Sequence, residues 1–213
     1  MSYDFLDRLS SPGVRAAQAA NGAADHWGGN QVDRPSARFT THEAEFIAGR
    51  DSFYLSSVSQ SGWPNVQHRG GPAGFLRVLD ATTLGFADFR GNRQYISLGN
   101  IAGDDRVALI MVDYPRRARL KVLAHMTAHE LTAEPDLAAR LLTPGYRGRA
   151  ERGFVLRLEA FDWNCSQHII PRFTAVEVND LVEPLRTQVE ALEAENAALR
   201  RLAAPPDHAQ TPD

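Results

Sequence analysis

One cysteine, Cys165, stands in 213 residues, so no intramolecular disulfide can form. That excludes a disulfide-stapled secreted scaffold and points to a reducing, cytoplasmic setting. Cys165 has no identifiable partner and reads as a small buried residue, not a nucleophile. Long hydrophobic runs are missing as well. The longest apolar stretches, such as VALIMV at 107–112, are far too short to span a bilayer, so no membrane partner is expected. The opening MSYDFLDRLSS lacks a basic segment followed by an apolar one, and no secretory signal is expected. Charge of one sign is also lacking. With 23 Lys and Arg against 26 Asp and Glu, the net charge of −3 gives no general attraction to nucleic acid. An anionic ligand must therefore be held by a local cluster of bases. No metal site and no internal repeat are expected.

What is present is ordinary for a globular chain: 43% hydrophobic and 23% charged residues, enough for one domain with appendages. Ser11-Pro12 followed by GVRAAQAANG predicts a short helix stopped near Gly22. The segment 23–38 lacks periodicity and is expected to be an extended arm. Thr40-x-x-Glu43 is a capping-box pattern that starts a second helix, ending near Gly49. From Asp51 the pattern turns to β: DSFYLSSVSQ and WPNVQHR form a hairpin, then FLRVLD and TLGFAD another. Tyr95, Leu98 and Ile101 recur at helical spacing, predicting a helix over 93–101. RVALIMVDY and ARLKVLAHMTAHEL are strands around Pro115, PDLAARLL is a short helix, and VLRLEAFDWNC a last strand. The expected fold is mainly β: a six-stranded antiparallel barrel with flanking helices.

Chemistry concentrates in four segments. In DFRGNRQ, Arg90 and Arg93 flank Gly91-Asn92 between a strand and the predicted helix. Guanidinium forks, Asn92 and helix N–H groups would suit a phosphate monoester; a loop of solvated arginines is the alternative. In NVQHRGG, period two puts Gln67 and Arg69 on one face and His68 on the other. Gly70-Gly71 would let the backbone lie against a flat ligand; a bulge with a core-facing His68 is the alternative. Arg119 and Lys121 share one face of the strand RARLKVL, which taken alone indicates only half exposure. In FDWNCSQH, Trp163 could wall off an aromatic ligand, and Asn164, Gln167 and His168 could hydrogen-bond one.

In this order the segments FYLSSVSQSGWP, VQHRGG, GFADFRGNRQYISLGNI, DDRVALIMVDY, RLKVLAHMTAHE and WNCSQHIIPRF resemble the pyridoxamine 5′-phosphate oxidase-like, FMN-binding split-barrel family over roughly residues 40–175. The resemblance implies a Greek-key split barrel, a homodimer, and FMN in clefts between the subunits. It implies that Gln67, His68, Arg69 and Gly70 line the isoalloxazine and ribityl chain. Ala87 and Asp88 would make contacts before the phosphate turn. Arg93 matches the phosphate-binding arginine, while Gln94 stands where true oxidases usually have a lysine, a charge that Arg90 or Lys121 could replace. Arg119, Leu120 and Lys121 match the strand that reaches the flavin from the partner subunit, and Trp163, Asn164 and Gln167 the late contacts of the cleft. The pattern by which true oxidases grip pyridoxamine phosphate is not recognisable. An FMN-dependent oxidoreductase acting on another small molecule is therefore expected, its catalytic residues unknown. A non-catalytic flavin-binding or sensor module, and a haem- or deazaflavin-binding split barrel, are the alternatives.

The chain divides in expectation into an N-terminal helix and arm (1–39), the FMN-binding barrel (40–178), a C-terminal helix (179–204) and a disordered tail (205–213). In that helix Leu185, Val189, Leu192, Asn196 and Leu199 alternate in steps of four and three, a coiled-coil seam with leucine at d. A single amphipathic helix packed on its own barrel is the alternative.

Overall fold

The computed structural model describes residues 3–27, 37–164 and 166–203. Cys165, the tail from 205 and most of the predicted arm lie outside them. Two compact units emerge, one ending at Ile169 and one beginning at Ile170.

Three short helices come first: α1 (Tyr3–Leu9), α2 (Pro12–Ala20) and α3 (Ala24–Trp27). Helix α2 is the one predicted, with Ser11 Oγ accepting the Val14 N–H at 3.2 Å and Pro12 in its first turn. Helices α1 and α3 have too few residues for periodicity to register, and α3 sits where an extended arm was expected. Helix α4 (Thr41–Ala48) starts at the predicted capping box. Thr40 donates from its backbone N–H and its hydroxyl to Glu43, at 2.9 and 2.6 Å.

The β region follows in chain order as β1 (Ser52–Val58), β2 (Pro64–Gly70), β3 (Arg77–Asp80) and β4 (Thr83–Phe89), then helix α5 (Ile96–Ile101). After it come β5 (Arg106–Asp113), β6 (Ala118–His129), helix α6 (Pro135–Leu141) and β7 (Ala150–Asn164). All neighbours are antiparallel, in the order β2-β1-β5-β6-β7-β4-β3. The split-barrel architecture is the one expected, but it has seven strands, not six: each of the strand segments read from the sequence joins the sheet, the four-residue β3 at its edge beside β4.

Alternation builds the barrel interior. Along β1, β5 and β6 every second residue is buried, so Phe53, Leu55, Leu109, Met111, Leu120 and Val122 point into one core. The two ends of the hydrogen-bonding order are folded toward each other. Phe53 of β1 packs edge-on against Phe86 of β4 with centroids 5.2 Å apart, and stacks on Phe75 at 5.5 Å. Aromatic packing of this kind adds about 0.5–1.5 kcal/mol per pair beyond the area it buries.

Two strand and helix boundaries differ from expectation. Strand β7 begins at Ala150, five residues before the apolar run at Val155. Gly153 interrupts the pattern because a Cβ there would lie 2.8 Å from the Leu141 side chain, so the strand gives up a side chain to let α6 pack. Helix α5 begins at Ile96, three residues later than predicted, because Arg93 and Tyr95 both take left-handed φ values, 63° and 52°. The residues around Gly91 are thus a loop, not the first turn of a helix.

The second unit contains α7 (Ala175–Ala203), one unbroken 29-residue helix. It starts earlier than residue 179 because Thr174 and Glu177 form a second capping box.

Candidate functional site

A cleft of about 270 Å³ opens where β2, the end of β4, the loop after it and the start of α5 converge. It brings together Gln67, His68, Arg69 and Gly70 from β2, Ala87 and Asp88 from β4, and Asn92, Arg93 and Gln94 from the loop. Strand β2 does this by simple alternation: Gln67 and Arg69 are half-buried while His68 and Val66 are exposed. The β1–β2 register runs without a break from Ser52↔Gly70 to Val58↔Pro64, so there is no bulge and His68 does not face the core. Its ring meets Tyr54, the residue opposite, edge-on with centroids 5.5 Å apart.

Arg69 and Asp88 form the floor. Arg69 Nη1 donates to Asp88 Oδ1 at 2.6 Å, while its guanidinium carbon sits 5.9 Å from the Phe86 ring centroid and 5.8 Å from that of Phe154. Arg152, opposite Asp88 on β7, approaches the other carboxylate oxygen at 3.4 Å, close enough for ion pairing but without hydrogen-bond geometry. Burial pushes the Asp88 carboxyl above its usual range; the two arginines oppose that and Glu151 reinforces it. The Nε atoms of Arg69 and Arg152 and the hydroxyl of Ser97 are buried with no hydrogen-bond partner among the described residues. Arg69 and Ser97 line the cleft, and buried donors left unfilled there are what a polar ligand would complete.

The loop supplies exposed charge. Arg93 is exposed at the cleft wall; Arg90, beside the cleft, keeps its side chain 3.7 Å from Glu151. Asn92 Oδ1 accepts the Gln94 N–H at 3.2 Å and shapes the turn. A Cβ on Gly91 would meet nothing within 4 Å, so the loop is open on that side. The glycine pair at the end of β2 also serves the protein's own packing. A Cβ on Gly71 would come within 2.7 Å of the Phe75 ring and one on Gly70 within 3.0 Å of His68, so these glycines make room for protein side chains.

The remaining candidates lie elsewhere. Leu120 is fully buried in the core. Lys121 lies 3.3 Å from Asp162 and 4.5 Å from the Phe5 ring centroid, and the buried Nε of Arg119 has no partner among the described residues. Trp163 donates from its indole to Glu43 at 2.8 Å and packs on His42 and Phe46. Asn164 pairs through its backbone with Arg119; its side chain is outside the described residues. Gln167 is exposed beyond the end of β7. Along one face of the sheet His68, Tyr54, Ile110 and Lys121 are successive cross-strand partners. At a strand spacing near 4.8 Å, Lys121 is about 14 Å from His68. The β6 group and the β2 group are therefore not one site within a single protomer.

Sequence reasoning missed Arg152, Glu151, Tyr95 and Ser97. Arg152 and Glu151 fall in the part of β7 that Gly153 disguised. Tyr95 was read only as a helix position; its hydroxyl donates to Glu151 at 3.2 Å and its ring lies 5.1 Å from the Arg152 guanidinium. His125 and His129 stand four apart, but on an extended strand that spacing separates them by about 13 Å. They bond instead to Asp105 and Glu134, and no metal-binding cluster occurs among the described residues. No described helix is long and apolar enough to cross a membrane.

The pyridoxamine 5′-phosphate oxidase family model matches residues 39–161, more than half of the chain. The protein belongs to the pyridoxamine 5′-phosphate oxidase family. No curated protein matches its sequence. Similar solved structures include an FMN-binding protein from Syntrophomonas wolfei (16% identity, 58% of this chain and 85% of that one, TM-score 0.44). The heme-storage protein HutZ from Vibrio cholerae is 15% identical over 59% of this chain and 94% of its own, TM-score 0.38. A Clostridium acetobutylicum protein of the pyridoxinephosphate oxidase family is 12% identical over 64% and 94%, TM-score 0.43. The family match carries the assignment.

Proposed function

We propose that the cleft holds FMN and that the protein is a homodimeric, FMN-dependent oxidoreductase of this family acting on a small molecule other than pyridoxamine phosphate. The observation that carries this reading is the meeting, in one cleft, of the half-buried Gln67 and Arg69 of β2 with the exposed arginine of the Gly91–Gln94 loop. A phosphorylated ligand with a long polar body matches that donor set: Arg93 and Arg90 at one end, Gln67 along the wall and Arg69 at the floor.

The flavin, when bound, supplies hydride or electron acceptance at its ring. The chain's own residues hold and tune it. Arg93 binds the phosphate, with Arg90 close enough to supply the charge that Gln94 does not. Arg69, immobilised by Asp88 and two phenylalanine rings, presents a fixed positive charge at the floor, suited to stabilising negative charge that builds up on a reduced ring. His68, exposed beside Tyr54, can hold a proton at the edge of the cleft and exchange it with solvent. Arg119 and Lys121 reach the cleft of a second copy, which is how residues about 14 Å away in one chain can serve the same ligand.

The visible absorption of protein purified without added cofactor, with the mass of the heat-released ligand, tests the reading. Flavin absorption with FMN released supports it, and NADH or NADPH oxidation by the same sample separates an enzyme from a binding module. A Soret band, or colourless protein that takes up no added FMN, overturns it.

A further inference from the structure

Helix α7 carries an apolar seam that is exposed among the described residues. Positions 182, 189 and 196 hold Val, Val and Asn, and positions 185, 192 and 199 hold Leu, the a and d places of a heptad. No residue of the helix is buried: Leu185, Val189, Leu192 and Leu199 are each 53–60% exposed. A seam of that kind in water needs a partner of the same period.

We propose that α7 pairs with α7 of a second copy as a parallel, in-register, two-stranded coiled coil. Three features select that occupant. Valine at a with leucine at d favours two strands over three or four. Asn196, at an a position, meets its own copy in a parallel pair and can exchange hydrogen bonds with it; an antiparallel pair would set it against an apolar d residue. The flanking charges agree. Glu195 is at g and Arg200 at the following e, so each copy offers a carboxylate to the other's guanidinium, and two such pairs close around Asn196. Pro184 does not interfere, since it sits at c, off the seam, and the part of the helix beyond it runs from Leu185 to Ala203. That segment is about 28 Å long, short enough that pairing is marginal for an isolated helix and depends on the concentration of the whole protein.

Disulfide trapping in the full chain tests this, with Cys165→Ser removing the native thiol. Asn196→Cys places a thiol on the seam, and Ala194→Cys places one at f on the opposite face. Under mild oxidation the seam variant is expected to cross-link nearly completely and the f variant to stay at background. In the Asn196→Cys protein, Glu195→Lys or Arg200→Glu alone should cut the cross-linked fraction about fivefold, and the two together should restore it. Background cross-linking at position 196, equal cross-linking at both positions, or no recovery in the charge swap overturns the proposal. Sedimentation of the same samples under reducing conditions reports dimerisation through the barrel separately. A reduced dimer with no cross-link at 196 removes the coil and leaves the flavin-cleft reading standing.

Discussion

Glu43 and Asp88 are both buried carboxylates, 5% and 8% exposed, yet the protein moves them in opposite directions. Burial opposes ionisation of Glu43, but the Thr40 hydroxyl, the Trp163 indole and the Thr40 backbone N–H outweigh it and bring the carboxyl down to about 2. At Asp88 burial wins over the two neighbouring arginines, and the carboxyl is raised. Asp88 has the closer formal charges; Glu43 has the more numerous short, well-aligned donors. Burial is the largest influence on both groups: three hydrogen-bond donors outweigh it at Glu43, while at Asp88 it and the neighbouring Glu151 outweigh the two arginines. The difference tracks position. Glu43 ties α4 to the end of β7 and has its acceptors filled, whereas Asp88 sits in a cleft wall among arginines whose Nε groups are unfilled.

Removing each acid in turn should break or sharpen that contrast. Asp88→Leu leaves Arg69 and Arg152 half-buried without their carboxylate and is expected to cost about 3–5 kcal/mol, read from urea denaturation at pH 7. Asp88→Asn, which keeps an acceptor, should cost clearly less. A leucine variant as stable as the asparagine one would mean that the arginines do not depend on this group.

Glu43→Gln comes next, at about 3 kcal/mol at pH 7, the shift from 4.5 to about 2 converted at 1.36 kcal/mol per unit. The signs are opposite for the two acids. Glu43 has a depressed pKa, so its contribution is full above pH 4.5 and is lost as the pH falls toward 2. Asp88 has a raised pKa, so its contribution is full below its unfolded value and is lost as the pH rises through the folded one. Denaturation of wild type and both amide variants between pH 7 and 3 should therefore show Glu43→Gln converging on wild type in acid. Asp88→Asn should lose ground to wild type over the same interval. Parallel profiles would refute the assignment of direction.

Arg93→Ala probes the cleft without the floor. Arg93 is exposed and makes no ion pair among the described residues, so the urea midpoint of flavin-free protein should not move. Loss of a charge-assisted hydrogen bond to phosphate should weaken FMN binding about 10- to 100-fold, measured by quenching of flavin fluorescence. Unchanged affinity would move the phosphate away from this loop.

How far the sequence could be read follows the same division. The capping box at Thr40 and Glu43 and the alternation of β1, β2, β5 and β6 were legible, because each depends on local period or spacing, whereas the meeting of β2 with the Gly91–Gln94 loop followed only from the family resemblance. Arg152 was not, because its role comes from standing opposite Asp88 across a ladder of residues far apart in the chain. The partners of Trp163 were hidden for a like reason: Glu43 is 120 positions away and was read only as a cap. The late start of α5 escaped because two left-handed residues, an arginine and a tyrosine, carry no glycine signal.

Asp104 gives the smallest expected effect and the most direct check on the comparison. Its carboxyl, like that of Glu43, is drawn down to about 2, here by the Arg106 side chain and then its backbone N–H. The geometry is good, with Arg106 donating to the two carboxylate oxygens at 2.8 and 2.6 Å. But the Arg106 side chain is 76% exposed, so water and salt compete for both groups, and holding the long side chain in place costs entropy. Asp104→Asn should leave the urea midpoint at pH 7, and its decline in acid, indistinguishable from wild type, whereas Glu43→Gln moves both. A loss at Asp104 matching that at Glu43 would show that hydrogen-bond geometry alone turns a lowered pKa into stability; no loss would show that burial is required.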